Sequence, residues 1–346
     1  MNVSNSLFSR ALQKESLKTP PIWFMRQAGR YMPEYRAIRS KFNNFLDMCK
    51  NPDVCCELAL QPINAFNLDA AILFSDILTI PDALGLGVRF IENEGPVFKN
   101  PINNSKDIDK LNLFNPDDLK YVYQAVTNIK NSLPGNIPLI GFSGSPWTLA
   151  AYSIEGRSSR DFKKTINFIK TNNDKSHTFL NVLTDACFLY LREQVKAGAD
   201  VIQIFDSWAN ILNKNDLNEF SMQYICRLTH ALKNDKVTCE TPIILFSRDP
   251  KCSNSTLIND SGADCISLYW NMKDFDLNLA RNKVALQGNL DPRILLKSKD
   301  EIKYQTKIIL DKFKDYPGYI FNLGHGITPD ISPDNIKYLT EIVREY

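Results

Sequence analysis

Histidine is scarce in this chain, three residues in 346, and none belongs to an H-E-x-x-H pair. The eight cysteines contain no C-x-x-C spacing, and no histidine stands where it would complete a zinc site. No G-x-G-x-x-G, Walker loop, carboxylate-rich calcium loop or nucleophile elbow occurs. These absences argue against a metal enzyme and against phosphoryl transfer. Adjacent Cys55 and Cys56 suit a disulfide framework poorly, so reduced thiols in a reducing compartment are expected. No apolar run reaches the roughly 18 residues of a spanning helix, and the amino terminus has no basic region followed by an apolar core. A cytoplasmic protein without a membrane partner is therefore the expectation. A formal net charge of only +2 leaves no global basic field, which excludes non-specific nucleic-acid binding and confines any anion site to a local cluster.

What is present is a core-forming composition, 44% apolar and 23% charged, and one conspicuous stretch. Arg26, Arg30, Arg36 and Arg39 follow the apolar run 22–25. Arginine is charged at every working pH and presents a planar fork suited to carboxylate or phosphate, so such a cluster at a strand end points to a polyanion. The alternative is a solvated basic face on a helix. Gly29 permits a sharp turn or close backbone approach, and Pro33 prevents one helix from running through the motif.

Past a polar lead at 1–20, short β-branched and aromatic runs recur at 22–25, 70–74, 137–142, 201–205, 242–246, 265–270, 284–287 and 319–323. Helical periodicity fills stretches between them, at 53–66, 116–132, 177–197, 217–233 and 298–313, with Gly198 as a stop signal. Eight strands alternating with helices over 1–346, without a second domain, predict an α/β fold: a single (β/α)8 TIM barrel. The stretch 85–101 breaks the rhythm and reads as a β-hairpin inserted after the second strand, with Gly95-Pro96 as its turn.

A barrel of this kind carries its working groups at the carboxyl ends of its strands. Those ends supply Arg26, Asp76, Ser143-Gly144-Ser145, Asp206-Ser207-Trp208, Ser247-Arg248-Asp249, Asn289 and Gly324-His325-Gly326. Asp76 and Ser207 equally suit helix caps, His325 a structural loop histidine, and Tyr152 a core tyrosine.

Five ordered motifs then resemble the uroporphyrinogen decarboxylase family, most closely its bacterial members. They are Met25-Arg26-Gln27-Ala28-Gly29-Arg30-Tyr31, Ala71-Ile72-Leu73-Phe74-Ser75-Asp76-Ile77-Leu78, Gly141-Phe142-Ser143-Gly144-Ser145-Pro146-Trp147-Thr148, Leu286-Gln287-Gly288-Asn289-Leu290-Asp291-Pro292 and Asn322-Leu323-Gly324-His325-Gly326. The resemblance implies a homodimeric barrel that converts uroporphyrinogen III to coproporphyrinogen III without cofactor or metal. It assigns substrate contact to Arg26, Gln27, Ala28, Gly29, Arg30, Asp76, Tyr152, Ser207 and His325. Asp76, Arg26 and Arg30 are the catalytic candidates, and Arg39 and Arg248 further basic residues of the cleft. Three departures stand out: Arg248-Asp249-Pro250-Lys251-Cys252 where the family has lysine and a glycine-rich turn, Leu268-Tyr269-Trp270 where it has Leu-Asp-Trp, and Asn210 in Ser207-Trp208-Ala209-Asn210 where it has glycine. Corrinoid-linked methyltransferases, which require a zinc site, and a catalytically silent porphyrin binder are the competing readings.

Overall fold

Parallel strands are covered on both faces and so read as near-continuous apolar runs. In the computed structural model of the chain, which describes residues 3–91, 94–248, 250–251, 253–272 and 275–346, seven of those runs form one curled parallel sheet. Its strands are β1 (Ala71–Ile72), β4 (Leu139–Gly144), β5 (Val201–Asp206), β6 (Ile243–Ser247), β7 (Cys265–Ser267), β8 (Ala285–Gln287) and β9 (Tyr319–Ile320), paired in that order. The run at 22–25 contributes only a single bridge, Ile22 to Phe321. There the Phe321 N–H donates to the Pro21 carbonyl at 2.9 Å and the Asp69 N–H donates to the Ile22 carbonyl at 2.8 Å. The segment thus lies between β9 and the residues that lead into β1.

Between β1 and β4, β2 (Val88–Ile91) pairs antiparallel with β3 (Gly95–Phe98). Gly95 and Pro96 do not form the turn expected of them. They lie within β3 opposite Ile91 and Phe90, while residues 92–93 of the connection lie outside the described residues. The helix expected at 177–197 starts a turn earlier, as Asn173–Lys196, and the one expected at 217–233 is interrupted by a π-helical stretch, Asn218–Met222, before continuing as Gln223–Asn234. The polar lead has a structural role. Ser6 caps the helix Leu7–Leu12, whose Phe8, Ala11 and Leu12 pack with Ala70, Val201 and Ala285 at the beginnings of strands, plugging that end of the sheet. Gly318, at φ +81°, allows the plug this close, since a Cβ there would meet the Ala11 carbonyl at 2.5 Å.

The same end carries one device three times. Asp69, Asp200 and Asp264 each precede a strand and accept from the first N–H of the neighbouring run: Ile22 at 2.6 Å, Leu139 at 2.8 Å and Ile243 at 2.7 Å. Each also pairs with a basic residue at the end of a helix, Arg344 at 2.8 Å, Lys130 at 2.6 Å and Lys233 at 2.7 Å. Inside the curl, Trp23 Nε1 donates to Gln287 Oε1 at 2.7 Å and Gln287 Nε2 donates to Ser267 Oγ at 2.9 Å, so these three buried polar side chains satisfy one another. Seven of the cysteines are free thiols, and Cys252 lies outside the described residues. No helix of the described residues is long and apolar enough to cross a membrane.

Candidate active site

With the plug at one end, the opposite end of the sheet carries the polar residues. Arg26 opens it in a left-handed conformation, φ +61°, which is uncommon for a residue with a side chain and needs surrounding structure to hold it. That support is Gln27, which is buried. Its Oε1 accepts from the Phe24 N–H at 3.2 Å and its Nε2 donates to the Ala70 carbonyl at 3.2 Å. Tyr31 closes the loop by donating its hydroxyl to the Gln27 carbonyl at 2.6 Å. The amide of Gln27, expected at the ligand, is therefore occupied by the scaffold, while Arg26 and Arg30 remain exposed and Ala28 and Gly29 half-buried.

Arg36 and Arg39 are engaged locally. Arg36 donates to the carbonyls of Arg30 and Tyr31 at 2.8 and 2.9 Å, and Arg39 to that of Phe42 at 2.7 Å. Pro33 is the first residue of the helix Pro33–Arg39, so the motif splits into a loop and a short helix as its proline requires. Arg39 and Arg30 both act on the Tyr35 hydroxyl, opposing the burial that pushes it up to about 12.

Asp76 does not cap the helix Thr79–Pro81, whose N-cap is Leu78, and closes a local turn instead. Its Oδ1 accepts from the Leu78 N–H at 2.8 Å, and the residue as a whole is half-buried. Burial pushes it up to about 6, against the Leu78 hydrogen bond and the Arg26 guanidinium. Tyr152, on the helix Pro146–Glu155, feels the same two charges. Burial raises its hydroxyl, hydrogen bonding to Trp208 opposes this, and Asp76 and Arg26 act on it in opposite senses.

His325 is half-buried, with its ring edge-on to Phe246 and Tyr269 at 6.4 Å each. Burial, then Arg26 and Arg248, push its imidazole down to about 4, so it is neutral at neutral pH. Arg26 reaches it by lying across Gly326, where a Cβ would come within 2.5 Å of Arg26 Cδ. Arg26, Asp76, Tyr152, His325 and Arg248, from five separate stretches of sequence, thus share one electrostatic neighbourhood. Ser207 joins it through its neighbour, since the Arg248 N–H donates to the Asp206 carbonyl at 3.1 Å. Ser207 is half-buried and does not cap the turn Ala209–Ile211, whose N-cap is Trp208.

Two parts of the site escape sequence reasoning. Asp206 is fully buried and accepts from four hydroxyls: Ser145 at 2.7 Å, Thr148 at 3.4 Å, Ser221 at 2.9 Å and Ser247 at 3.2 Å. It ties together the ends of β4, β5 and β6, and burial raises its carboxyl despite those donors. Its strand-end position was visible, but its partners are scattered along the chain. An aromatic wall is the other part: Phe162 and Trp208 with ring centroids 4.5 Å apart, and Tyr152 edge-on to both. Asn289 turns away from solvent and donates to the Tyr269 carbonyl at 3.1 Å. Asp249 lies outside the described residues. Among the described residues no three His, Cys, Asp or Glu side chains group as a metal site would need.

The comparisons with known proteins agree on one family. A family model described as uroporphyrinogen decarboxylase matches residues 3–346. A uroporphyrinogen decarboxylase of Legionella pneumophila (strain Paris) is 46% identical over 349 residues, covering 99% of this chain and 97% of the relative. Those of Vesicomyosocius okutanii and Hydrogenovibrio crunogenus are 46% and 45% identical, covering 98% and 99% of this chain and 97% and 99% of their own. Among solved structures, a methyltransferase from Methanosarcina mazei superposes with a TM-score of 0.75 at 18% identity, covering 98% of each chain, which is a likeness of fold.

Proposed function

Because the chain belongs to the uroporphyrinogen decarboxylase family, we propose that it decarboxylates uroporphyrinogen III to coproporphyrinogen III in haem biosynthesis, acting on all four acetate side chains without a cofactor. The observation that carries this reading is the convergence of Arg26, Asp76, Tyr152 and His325 at one end of the sheet. We read the 22–25 segment as the eighth stave of a closed barrel and the whole chain as one such domain, with β2 and β3 as an inserted hairpin.

The chemistry needs an electron sink beside each acetate. Protonation of a pyrrole ring carbon makes the ring cationic. The bond to the carboxylate carbon then breaks, carbon dioxide leaves, and the electron pair moves into the ring to form an exocyclic methylene. Protonation of that methylene gives the methyl group, and loss of the added ring proton restores the pyrrole. The substrate is its own sink, which is why no cofactor enters.

Asp76 opposes the positive charge as it develops and accepts from the pyrrole N–H groups, a preorganised electrostatic role. The Leu78 N–H fixes the orientation of its carboxylate. Arg26 and Arg30 bind substrate carboxylates, as do Tyr152, Ser207 and neutral His325, and we assign delivery of the ring proton to an arginine of this pair. Catalysis takes place in a cytoplasmic homodimer.

The test is anaerobic incubation with uroporphyrinogen III and chromatography of the oxidised products, before and after treatment with chelator and desalting. Stepwise loss of four carboxylates, unaffected by the treatment and reduced about 10²-fold to 10³-fold by Asp76→Asn, is the expected outcome. Full activity in Asp76→Asn would remove Asp76 from the mechanism. Stoichiometric tightly bound zinc would instead favour the methyltransferase reading, and tetrapyrrole uptake without product the silent binder.

A further inference from the structure

Resting on that reading for the identity of its anion, we propose that Arg248 is a carboxylate-binding residue of the cleft, and that Tyr269 sets its strength by offering a ring where an acidic side chain would capture it. The Arg248 guanidinium lies 5.3 Å from the Trp208 ring centroid and 5.8 Å from that of Tyr269. Ring faces attract a guanidinium without occupying its N–H donors, because a π face offers no lone pair in the donor plane. Among the described residues, Arg248 is thus held in place with no hydrogen bond on its fork.

Two other arginines beside rings or acids are not left so. Arg293, 4.2 Å from the Trp270 ring, is also ion-paired with Asp291 at 2.6 Å, and Arg192 with Asp235 at 3.0 Å. Among the described residues no carboxylate pairs with Arg248. Its backbone is fixed as well, through its N–H on Asp206, whose carboxylate also gathers Ser247.

The surroundings call for an anion. Arg26 comes to His325 across Gly326, Arg248 from β6, and both charges bear on the same neutral imidazole. Two guanidiniums converging on a half-buried, uncharged ring repel each other unless an anion is placed between them. A carboxylate there takes donors from both forks. An aspartate at position 269 would lie against Arg248 and pair with it, so that the fork is no longer available to an incoming carboxylate.

The test uses Arg248→Gln, Arg248→Lys, Tyr269→Asp, Tyr269→Phe and the double variant Arg248→Gln/Tyr269→Asp, each checked for native melting. Two readouts are taken: KM and kcat for uroporphyrinogen III, and the Kd of oxidised uroporphyrin III from fluorescence quenching. Losing a charge-assisted hydrogen bond is expected to raise KM and Kd about tenfold to a hundredfold in Arg248→Gln, with kcat changed far less. Arg248→Lys, which keeps charge but loses the fork, falls between. Tyr269→Asp raises KM well above Tyr269→Phe, and adding it to Arg248→Gln costs little more, because both act through one guanidinium. Unchanged Kd and KM in Arg248→Gln, or additive effects in the double variant, would overturn the assignment. A raised Kd in the variants of a native protein that makes no product would uphold Arg248 and remove the decarboxylase reading instead.

Discussion

Asp76 uses one carboxylate oxygen to receive the Leu78 N–H, and the same group is the carboxylate proposed to face the pyrrole nitrogens. Its carboxyl, pushed up to about 6 by burial, has two consequences with definite signs. In its proposed role Asp76 acts in the ionised form, so kcat/KM should rise with pH through about 6, and a profile flat down to pH 5 would contradict that role. Stability runs the other way. A carboxyl whose folded pKa is raised is most favourable to the fold below the ordinary carboxylate range, and that contribution is lost as pH rises through about 6. Asp76→Asn keeps the acceptor for Leu78 and removes the buried charge. It should therefore stabilise the protein by about 1–3 kcal/mol at pH 7–8, with the gain vanishing as pH falls toward 4, in urea titrations across that range. The sequence allowed this residue as a helix cap or as a functional carboxylate without ranking the two, because capping and exposure to a cleft depend on how the following turn folds. Gln27 shows the converse: it falls inside the arginine motif, but only the fold reveals that its amide holds Arg26's loop rather than a ligand.

Strands and helices were largely legible where apolar runs were continuous, since covered parallel strands leave little choice of residue. Legibility failed where one element borrows from another. The run at 22–25 has strand composition but makes only a bridge, because its partners are a backbone carbonyl on one side and the Asp69 carboxylate on the other. Gly95-Pro96 reads as a turn and is a strand, since proline's missing N–H is tolerated in a two-stranded ribbon. The repeated aspartate before alternate strands was present in the sequence, but its meaning needed the lysine or arginine from a helix end. That device predicts a separable stability effect. Asp200→Ala leaves the Leu139 N–H without its acceptor and Lys130 without its partner at the plugged end, away from the cleft. The expected loss is about 2 kcal/mol in chemical denaturation, with KM for uroporphyrinogen III unchanged. A matching loss of substrate affinity would mean that the two ends of the sheet are not mechanically separate.

At the scale of the whole molecule, a chain with net charge +2 is proposed to bind a substrate bearing eight carboxylates, and the balance has to come from placement rather than total charge. Arg26 and Arg248 both bear on His325 and Arg30 lies on the loop that carries Arg26, while many other cations are neutralised where they stand, as in the pairs Lys130–Asp200 and Arg192–Asp235. The sequence revealed the first two arginines as a cluster. It gave no sign that the third, more than two hundred residues later, faces the same histidine, because that contact is made only when the sheet curls. If the local cluster dominates, far charges should matter little. Lys303 and Lys307 are exposed on the outer helix Lys299–Phe313, and changing both to Glu alters the formal charge by four, from +2 to −2. This double variant is expected to keep kcat/KM within about twofold at about 0.1 M salt, where the Debye length is only about 10 Å. Raising salt acts on the cluster itself through its exposed members, so KM of the native enzyme should increase about threefold to tenfold between about 0.05 and 0.5 M. A tenfold fall in kcat/KM from the remote Lys303→Glu/Lys307→Glu change would show that the overall field, and not the arginines at the strand ends, gathers the substrate.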